Sequence, residues 1–233
     1  MKTVDNISAY IYKKYPIFCK DQNIKEFSWA NKNKQDSEGS FGRAYYIGNN
    51  RVLKVTTDMT EANTSDYISR KNLKYTWSIY YVCQFVGFAL VLQSEMGCDF
   101  REAEAYMDDN AYGIIGERLY PLSADESYVV DTFSNMFIDG TKTDGLGTMS
   151  YDDFKEEMED FHYEYIQENP KVYDFFYYGY KELLEAGVEF RDGHSGNIMK
   201  NAEGDFKFID LGVSKSTGGQ VKNFVKEQIG RLK

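Results

Sequence analysis

From Ser150 onwards, apolar residues recur every three or four positions, as is typical of amphipathic helices. Ser150 followed three positions later by Asp153 resembles a capping box, and it predicts the start of a helix that ends at Pro170. A second helix follows and stops at Gly187. The apolar stripe of the second helix consists of Val172, Phe176, Tyr180 and Leu183. The pattern therefore predicts two helices that pack their aromatic stripes into a core.

Shorter apolar runs between turn residues predict strands in the first half of the chain. Gly39–Ile47 is typical of a turn between strands, with glycines at both ends of the turn. The turn at 48–50 leads to the apolar strand Arg51–Val55, which a single lysine interrupts, and Ile79–Val86 is a further strand. These runs predict a small sheet.

The partner of this last strand has two possible registers. Phe88–Gln93 would lead to a hinge that contains Glu95, whereas Tyr112–Ile115 would lead to a hinge at Glu117–Leu119. We favour the second register, because the preceding residues DDNAYG form a good turn and the run suits a strand that feeds a connector. Residues 88–110 are then an insertion.

Helical patterns are also present outside the second half. One runs from Asp5 to Tyr15, where Pro16 stops it, and another covers Met59–Tyr75. A short helical run at Glu126–Phe137 precedes a loop rich in glycine and threonine at 138–148. Together the patterns predict an α+β fold with a sheet near the N-terminus and mainly helices after it.

The segment 188–215 carries the clearest chemistry. In order, it contains an apolar run from Val188, a polar loop with Asp192 and Asn197, a turn at 201–204, a second apolar run Phe206–Ile209, and Asp210-Leu211-Gly212. If the two apolar runs pair as strands, the three polar side chains lie at one end of a small hairpin. Phosphoryl transfer needs a carboxylate to accept the proton of the attacking hydroxyl and hard oxygen ligands to hold magnesium. Asp192 can do the first, and Asn197 and Asp210 the second.

Two upstream features could contact a phosphate. Glycines at 39 and 42 permit close approach of backbone N–H groups to phosphate oxygens, and Phe41 could fold over the loop to exclude water. Lys54 interrupts the apolar strand and points either outwards or into the cleft beside the catalytic loop.

Composition excludes several classes of function. The net charge of −10 over 233 residues argues against broad binding of a nucleic-acid backbone, so we expect no nucleic-acid partner. Three unclustered cysteines predict reduced thiols in a cytoplasmic setting and no structural zinc. The most hydrophobic stretch, Trp77–Gln93, contains polar residues and is expected to be buried core and not a membrane span.

The order of these residues resembles the protein-kinase superfamily. The pattern is Asp192, four residues, Asn197, and an Asp-x-Gly that starts thirteen positions later after a strand. Lys54, twelve residues after Gly42, is similar to the strand lysine that grips the nucleotide phosphates in that family. The segment HSGNIM at 194–199, with Arg43-Ala44-Tyr45 upstream, is most similar to the compact early Ser/Thr protein kinases of T7-like bacteriophages.

The resemblance implies a site for ATP and Mg²⁺. Asp192, Lys54 and Glu61 would be catalytic, with Glu61 from the next helix paired to the lysine. Asp66 is the alternative partner, because Glu61 has the longer reach whereas Asp66 lies nearer the usual place along such a helix. The nucleotide would contact Gly39, Ser40, Phe41, Gly42, Lys54, Glu117 and Leu119, and the metal ligands would be Asn197 and Asp210.

The fold that the resemblance implies is a single two-lobed kinase-like domain. Residues 1–117 would form an N-lobe with a small antiparallel sheet, and 118–233 a reduced, mainly helical C-lobe. The substrates would be host proteins in the cytoplasm of the host cell. A basic C-terminal helix with an apolar stripe, 221–232, either docks on its own lobe or forms a homodimer contact.

Two departures from the family keep alternatives open. Ser37 stands where the family expects a glycine, and only 21 residues follow Gly212, with no Ala-Pro-Glu. A pseudokinase that acts as a binding module is one alternative. The other is a small-molecule kinase, because Asp-x-His-x-Gly-Asn also resembles aminoglycoside- and choline-type phosphotransferases.

Overall fold

The chain has an α+β fold. The computed structural model describes residues 2–39, 42–88, 110–140, 149–156, 167–190, 193–211 and 215–216. These residues divide into two compact units. The first contains the described residues as far as Ser69 together with those from Ser78 to Arg118, and the second contains Arg70–Trp77 and the described residues from Leu119 onwards.

The first unit is built around one antiparallel sheet. Its strands are β1 (Ser28–Trp29), β2 (Glu38–Gly39), β3 (Gly42–Gly48), β4 (Arg51–Thr56), β5 (Ile79–Phe85) and β6 (Ala111–Glu117). The order is β1-β3-β4-β6-β5, and β2 pairs with β3. The partner of β5 is therefore β6, as the favoured register predicted, while most of the predicted insertion lies outside the described residues.

Two N-terminal helices cover one face of this sheet. They are α1 (Asn6–Lys14) and α2 (Pro16–Asp21). Their apolar residues share a buried cluster with alternate residues of the strands, including Ile7, Ile11, Cys19, Tyr45, Leu53, Val55, Phe85 and Ile115. Pro16 does end α1, but it also occupies the first turn of α2, because a fixed φ and a missing N–H suit the start of a helix.

The third helix, α3 (Met59–Ser69), follows β4 and packs against β5 and β6. It is shorter than the predicted Met59–Tyr75. Asn72 has a φ of +52°, which a helix does not allow, and the residues after it belong to the second unit. There the backbone N–H groups of Lys74 and Tyr75 donate to the Glu182 carboxylate at 2.7 and 2.9 Å.

Helices dominate the second unit. Helix α4 (Ala124–Gly140) packs against α5 (Pro170–Glu185), and residues 151–156 are helical between them in sequence. The predicted stripe of α5 is confirmed, since Val172, Phe176, Tyr180 and Leu183 are all buried. The predicted box at Ser150 is also confirmed, because Asp153 N–H donates to Ser150 Oγ at 3.1 Å. Helix α4 extends three residues into the predicted loop, and the rest of that loop lies outside the described residues.

Two small antiparallel pairs follow α5, and they correct the predicted hairpin. Strand β8 (Ile198–Lys200) pairs with β9 (Phe206–Phe208), whereas β7 (Val188–Glu189) pairs with β10 (Lys215–Ser216). Positions 215–216, for which the sequence pattern indicates no strand, are therefore part of a sheet. Gly187 ends α5 with a φ of +76°, as predicted.

Within the described residues, no helix has both the length and the apolar character needed to span a membrane.

Candidate functional site

Lys54 and Glu61 form an ion pair in the first unit. Lys54 lies in the middle of β4, opposite Ala44 of β3 and Ile114 of β6. Its Nζ donates to Glu61 Oε1 in the first turn of α3. The Lys54 side chain is 20% exposed and the Glu61 side chain only 3%. The lysine therefore points towards α3, on the face opposite the one that carries Leu53 and Val55 into the N-terminal core.

The start of α3 explains why Glu61 is available for this pair. Asp58 caps the helix, because its Oδ1 accepts the N–H groups of Thr60 at 2.7 Å and Glu61 at 3.1 Å. In a capping box the third helical residue, here Glu61, would bond back to the N–H of the cap. That N–H instead donates to Thr56 Oγ1 at 3.1 Å. Glu61 is therefore directed to Lys54, and Asp66 lies on a later turn of the same helix.

The predicted phosphate loop is described only at its two ends. Gly39 in β2 pairs with Gly42 in β3, and Ser40 and Phe41 lie outside the described residues. A Cβ on Gly42 would lie 2.2 Å from the carbonyl oxygen of Val55, so packing against β4 by itself requires glycine there. Ser37 has a structural task, since its Oγ accepts Asn31 N–H and donates to the Asn33 carbonyl, both at 2.9 Å.

The predicted hinge residues fall on both sides of the division between the units. Glu117 is the last residue of β6, and its Oε1 accepts the N–H of Ser78 at 3.1 Å. Leu119 is buried and belongs to the second unit. The backbone of Arg118, between them, donates to the Asn50 carbonyl at 2.9 Å.

Asn197 and Asp210 lie at the open end of the β8–β9 hairpin in the second unit. Asn197 is the last residue of a 3₁₀ turn (Ser195–Asn197) that leads directly into β8, and it is buried. Its carbonyl accepts the N–H of Ile209 at 2.9 Å, which places Asp210 one residue away from that contact. The structure thus brings these two predicted ligands to the same end of one hairpin.

Asp210 has a strained backbone. Its φ is +52°, in the left-handed region that side chains other than glycine rarely adopt. Such conformations cost about 1–3 kcal/mol and persist where the surrounding structure enforces them, often at functional sites. The neighbours of Asp210 hold this conformation in place. The N–H of Ile209 donates to the Asn197 carbonyl, and the Leu211 side chain is buried.

The loop before Asn197 is held by side chains from two helices. Ser195 N–H and Oγ donate to the two carboxylate oxygens of Asp131 in α4, at 2.7 and 2.8 Å. A Cβ on Gly193 would lie 2.3 Å from Tyr180 Oη in α5. His194 Nδ1 accepts the N–H of Gly196 at 3.0 Å, and its Nε2 lies 3.2 Å from the side-chain amide of Asn197.

Asp192, the predicted base, lies outside the described residues, as does the predicted C-terminal helix. Its neighbour Gly193 is described and buried, so the described chain resumes directly after Asp192. The described side chains contain no cluster of three or more His, Cys, Asp or Glu residues. The predicted metal ligands are one asparagine and one aspartate, Asn197 and Asp210, so a finding about groups of three such acids, histidines or cysteines does not bear on them.

The pKa of a side chain in each unit is shifted by burial or by its hydrogen-bond partners. Burial, together with the Asp5 carboxylate beside the phenol, raises the pKa of Tyr45 well above its ordinary value. The hydrogen bond from Lys200 lowers the pKa of Glu126 in α4, and the Ser123 N–H adds to this effect.

The structure groups the predicted residues in two sets. Gly39, Gly42, Lys54, Glu61 and Glu117 belong to the first unit, and Leu119, Asn197 and Asp210 to the second. Sequence reasoning missed that Asp131 accepts hydrogen bonds from Ser195 and that Tyr180 packs closely against Gly193. The only signal for either was a position in an amphipathic helix, which does not distinguish a loop contact from core packing.

Comparisons with known proteins add no family assignment. No protein-family model matches the sequence, and a search of curated proteins finds no match to it.

Proposed function

We propose that this protein is an ATP- and Mg²⁺-dependent phosphotransferase of the kinase-like type, and that it transfers the γ-phosphate of ATP to hydroxyl groups of proteins. The buried contact between Lys54 and Glu61 carries the proposal. A lysine in the middle of a sheet, held by a carboxylate from the next helix, is the arrangement that protein kinases use to orient nucleotide phosphates.

The hairpin end of the second unit supports a metal-binding role. Asn197 and Asp210 each supply an oxygen, and hard oxygen ligands are what Mg²⁺ prefers. The strained backbone of Asp210 fits a residue whose side-chain direction is set by function. The residues fit the ion in chemical type, and Mg²⁺ would neutralise the charge that develops on the phosphates during transfer.

Asp192 is assigned the role of base in this proposal. It would accept the proton of the attacking hydroxyl. Four residues separate it from Asn197 in the sequence. The glycines at 39 and 42 would lie against the phosphates, with Ser40 and Phe41 between them, and the backbone near Glu117 and Leu119 would contact the adenine. Host proteins in the cytoplasm of a phage-infected cell are the proposed substrates.

A pseudokinase remains the alternative without catalysis. Ser37 in place of a glycine was its first motive, and the hydrogen bonds of Ser37 give that side chain a role in fixing the loop at 31–37. The choice between Glu61 and Asp66 as the partner of Lys54 also bears on this alternative, and it is Glu61 that forms the ion pair. The ion pair of Lys54 with Glu61 favours the active enzyme.

A small-molecule kinase is the second candidate activity. His194, in the Asp-x-His-x-Gly-Asn pattern shared with aminoglycoside- and choline-type enzymes, contacts both Gly196 and Asn197. A histidine built into the turn in this way favours that class as the runner-up. The two candidates share the same phosphate chemistry and differ in the acceptor.

A transfer assay tests the proposal. The purified protein is incubated with γ-labelled ATP and Mg²⁺, together with bacterial lysate, with a panel of aminoglycosides and choline, or with no acceptor. Label in lysate proteins supports the protein kinase, and label in small molecules supports the runner-up. No label, together with no measurable nucleotide binding, overturns the phosphotransferase proposal.

Three variants separate the roles of the carboxylates. Asp192→Ala should spare nucleotide binding and remove turnover, whereas Asp210→Ala should abolish the Mg²⁺-dependent part of nucleotide binding. Asp205→Asn is the matched control, because Asp205 is an exposed acid in the turn at the other end of the same hairpin. Full activity in both the Asp192 and the Asp210 variants would contradict the site assignment.

A further inference from the structure

Asp131 makes two close side-chain contacts to the turn that carries Asn197. It lies in the middle of α4, and both of its carboxylate oxygens accept hydrogen bonds from one residue, Ser195. One bond comes from the backbone N–H at 2.7 Å and the other from the hydroxyl at 2.8 Å. Bonds of this kind to an ionised acceptor are about twice as strong as neutral ones.

These two bonds fix the first residue of the turn in both position and orientation. Ser195 begins the 3₁₀ turn, and Asn197 ends it, with Asn197 N–H donating to the His194 carbonyl at 2.9 Å. The Asn197 carbonyl then accepts the N–H of Ile209, which lies between β9 and Asp210. Hydrogen bonds and the backbone between them therefore connect α4 through the turn to Asn197 and to Ile209, the residue before Asp210.

A second acid on α4 provides an internal comparison. Glu126, five residues earlier on the same helix, forms an ion pair with Lys200 at a distance of 2.5 Å. Lys200 is the last residue of β8, whereas Asn197 immediately precedes the first. The helix thus holds β8 at both ends through carboxylates, and only Asp131 acts at the end with Asn197 and Asp210.

We propose that Asp131 is a positioning residue for the metal site: through Ser195 it holds the turn that sets where the Asn197 side chain lies. The proposal rests on the proposed function, because it takes Asn197 as a ligand of Mg²⁺. Residues that orient a metal ligand without touching the metal typically contribute about 10- to 100-fold to metal affinity.

The test measures how turnover and nucleotide binding depend on Mg²⁺ concentration. Asp131→Ala should raise the Mg²⁺ concentration at half-maximal activity about 10-fold or more, with KM for ATP at saturating Mg²⁺ nearly unchanged. Ser195→Ala, which keeps the backbone N–H bond, should give a smaller shift in the same direction. Asp131→Asn keeps an oxygen for the Ser195 N–H and should lie between the wild type and the alanine variant.

Glu126→Gln is the matched control. It removes a carboxylate contact between the same helix and the same strand, so it should reduce stability without changing the Mg²⁺ dependence. A shift of equal size in Glu126→Gln and Asp131→Ala would overturn the positioning role, as would an unchanged Mg²⁺ dependence in both Asp131→Ala and Ser195→Ala. If Asp131→Ala fails to fold, the Ser195→Ala result decides.

The two proposals fail in different ways. A wild-type protein with neither turnover nor Mg²⁺-dependent nucleotide binding would overturn the phosphotransferase proposal and the metal role with it. A wild type that is active, with variants at 131 and 195 that keep its Mg²⁺ dependence, would overturn the positioning role alone.

Discussion

Glu61 accepts a hydrogen bond from Lys54 Nζ although the carboxylate, at 3% exposure, is far more buried than the lysine side chain, at 20%. Removing the lysine and removing the glutamate should therefore lower the free energy of unfolding by different amounts. Lys54→Met leaves a deeply buried carboxylate without this ammonium, and breaking a buried pair in this way costs about 3–5 kcal/mol. Glu61→Gln leaves a lysine that can extend towards solvent, and should cost about 1 kcal/mol.

Urea unfolding of the two variants and of Lys54→Met/Glu61→Gln measures these costs. The double variant should be more stable than Lys54→Met alone, because neither charge then remains. Thr60→Ala, at an exposed position of the same helix, is the control and should change the unfolding free energy by less than about 0.5 kcal/mol. An equal loss of unfolding free energy in the two single variants would contradict the unequal burial of the two side chains.

The reach of sequence reasoning is clear from this pair. Lys54 was recognisable because one charge interrupts an apolar strand, and Glu61 was assigned to it by reach against Asp66. The physical cause lay elsewhere, in Thr56, whose hydroxyl satisfies the cap N–H that Glu61 would otherwise bind. A capping pattern in a sequence shows which groups can bond, but not which of them find another partner.

Long periodic segments were predictable, and short pairings were not. Helix α5 buries one face and strand β6 buries nearly all of its residues, so their apolar residues recur over a length that a pattern can reveal. Strands of two or three residues have no such pattern, and for this reason the pairing of β7 with β10 was missed. Contacts such as Asp131 with Ser195 join residues 64 positions apart, and polar residues in a helix carry no mark of such a partner.

Gly193 and Tyr180 make a second testable pair. A Cβ at position 193 would lie 2.3 Å from the Tyr180 hydroxyl, closer than any real contact allows. Gly193→Ala should therefore displace the loop that follows Asp192 and reduce phosphotransfer by about 100-fold, since a misplacement of about 1 Å near reacting groups has effects of that size. Steady-state kinetics with labelled ATP measures the loss.

Tyr180→Phe tests the cause of that loss. It removes the oxygen that the new methyl group would meet, so Gly193→Ala/Tyr180→Phe should recover a large part of the activity. Tyr180→Phe alone is the control for the lost hydroxyl and should retain most of the activity. A double variant no better than Gly193→Ala would mean that glycine is needed at 193 for a reason other than the Tyr180 hydroxyl.

Asp5 connects the N-terminal helix to the sheet through both carboxylate oxygens. Its Oδ1 accepts Ser8 N–H at 2.8 Å and caps α1, while Oδ2 accepts from Arg43 at 3.1 Å and from the Tyr45 hydroxyl at 2.8 Å. The Arg43 side chain is only 1% exposed. Asp5→Ala should lower the unfolding free energy by about 3 kcal/mol or more, because it removes a cap and a buried charge partner together.

Two milder changes divide this cost. Asp5→Asn retains a good helix cap and loses the charge, so it should fall between the wild type and Asp5→Ala in urea unfolding. Tyr45→Phe removes one hydrogen bond to the carboxylate and should cost about 1 kcal/mol. Identical stabilities for Asp5→Ala and Asp5→Asn would show that the cap contributes nothing and that the charge accounts for the whole effect.

The thiols of Cys19 and Cys83 should be nearly inert in the folded protein. Burial raises the pKa of Cys19 to about 11 and that of Cys83 to about 12, from an ordinary value of 9.0. Only the thiolate reacts, and at pH 8 a shift from 9 to 11 lowers the thiolate fraction roughly 100-fold. The pKa of each thiol is higher in the folded protein than in the unfolded protein, so the folded state keeps the thiol protonated more strongly. The stability that comes from burying the neutral thiol is therefore complete below about pH 9 and is lost as pH rises through the folded-state pKa.

Labelling with a disulfide reagent measures the reactivity of the thiols, and urea unfolding at several pH values measures the effect on stability. In a Cys98→Ser background, so that only Cys19 and Cys83 report, labelling at pH 8 should be far slower than in urea-unfolded protein. The unfolding free energy should decline between about pH 9 and pH 11 and should decline less in the Cys83→Ala variant, because one of the two shifted thiols is then absent. Labelling of the folded protein at the unfolded rate would contradict the burial of Cys19 and the partial burial of Cys83, since a thiol shielded by packing reacts only when that packing opens.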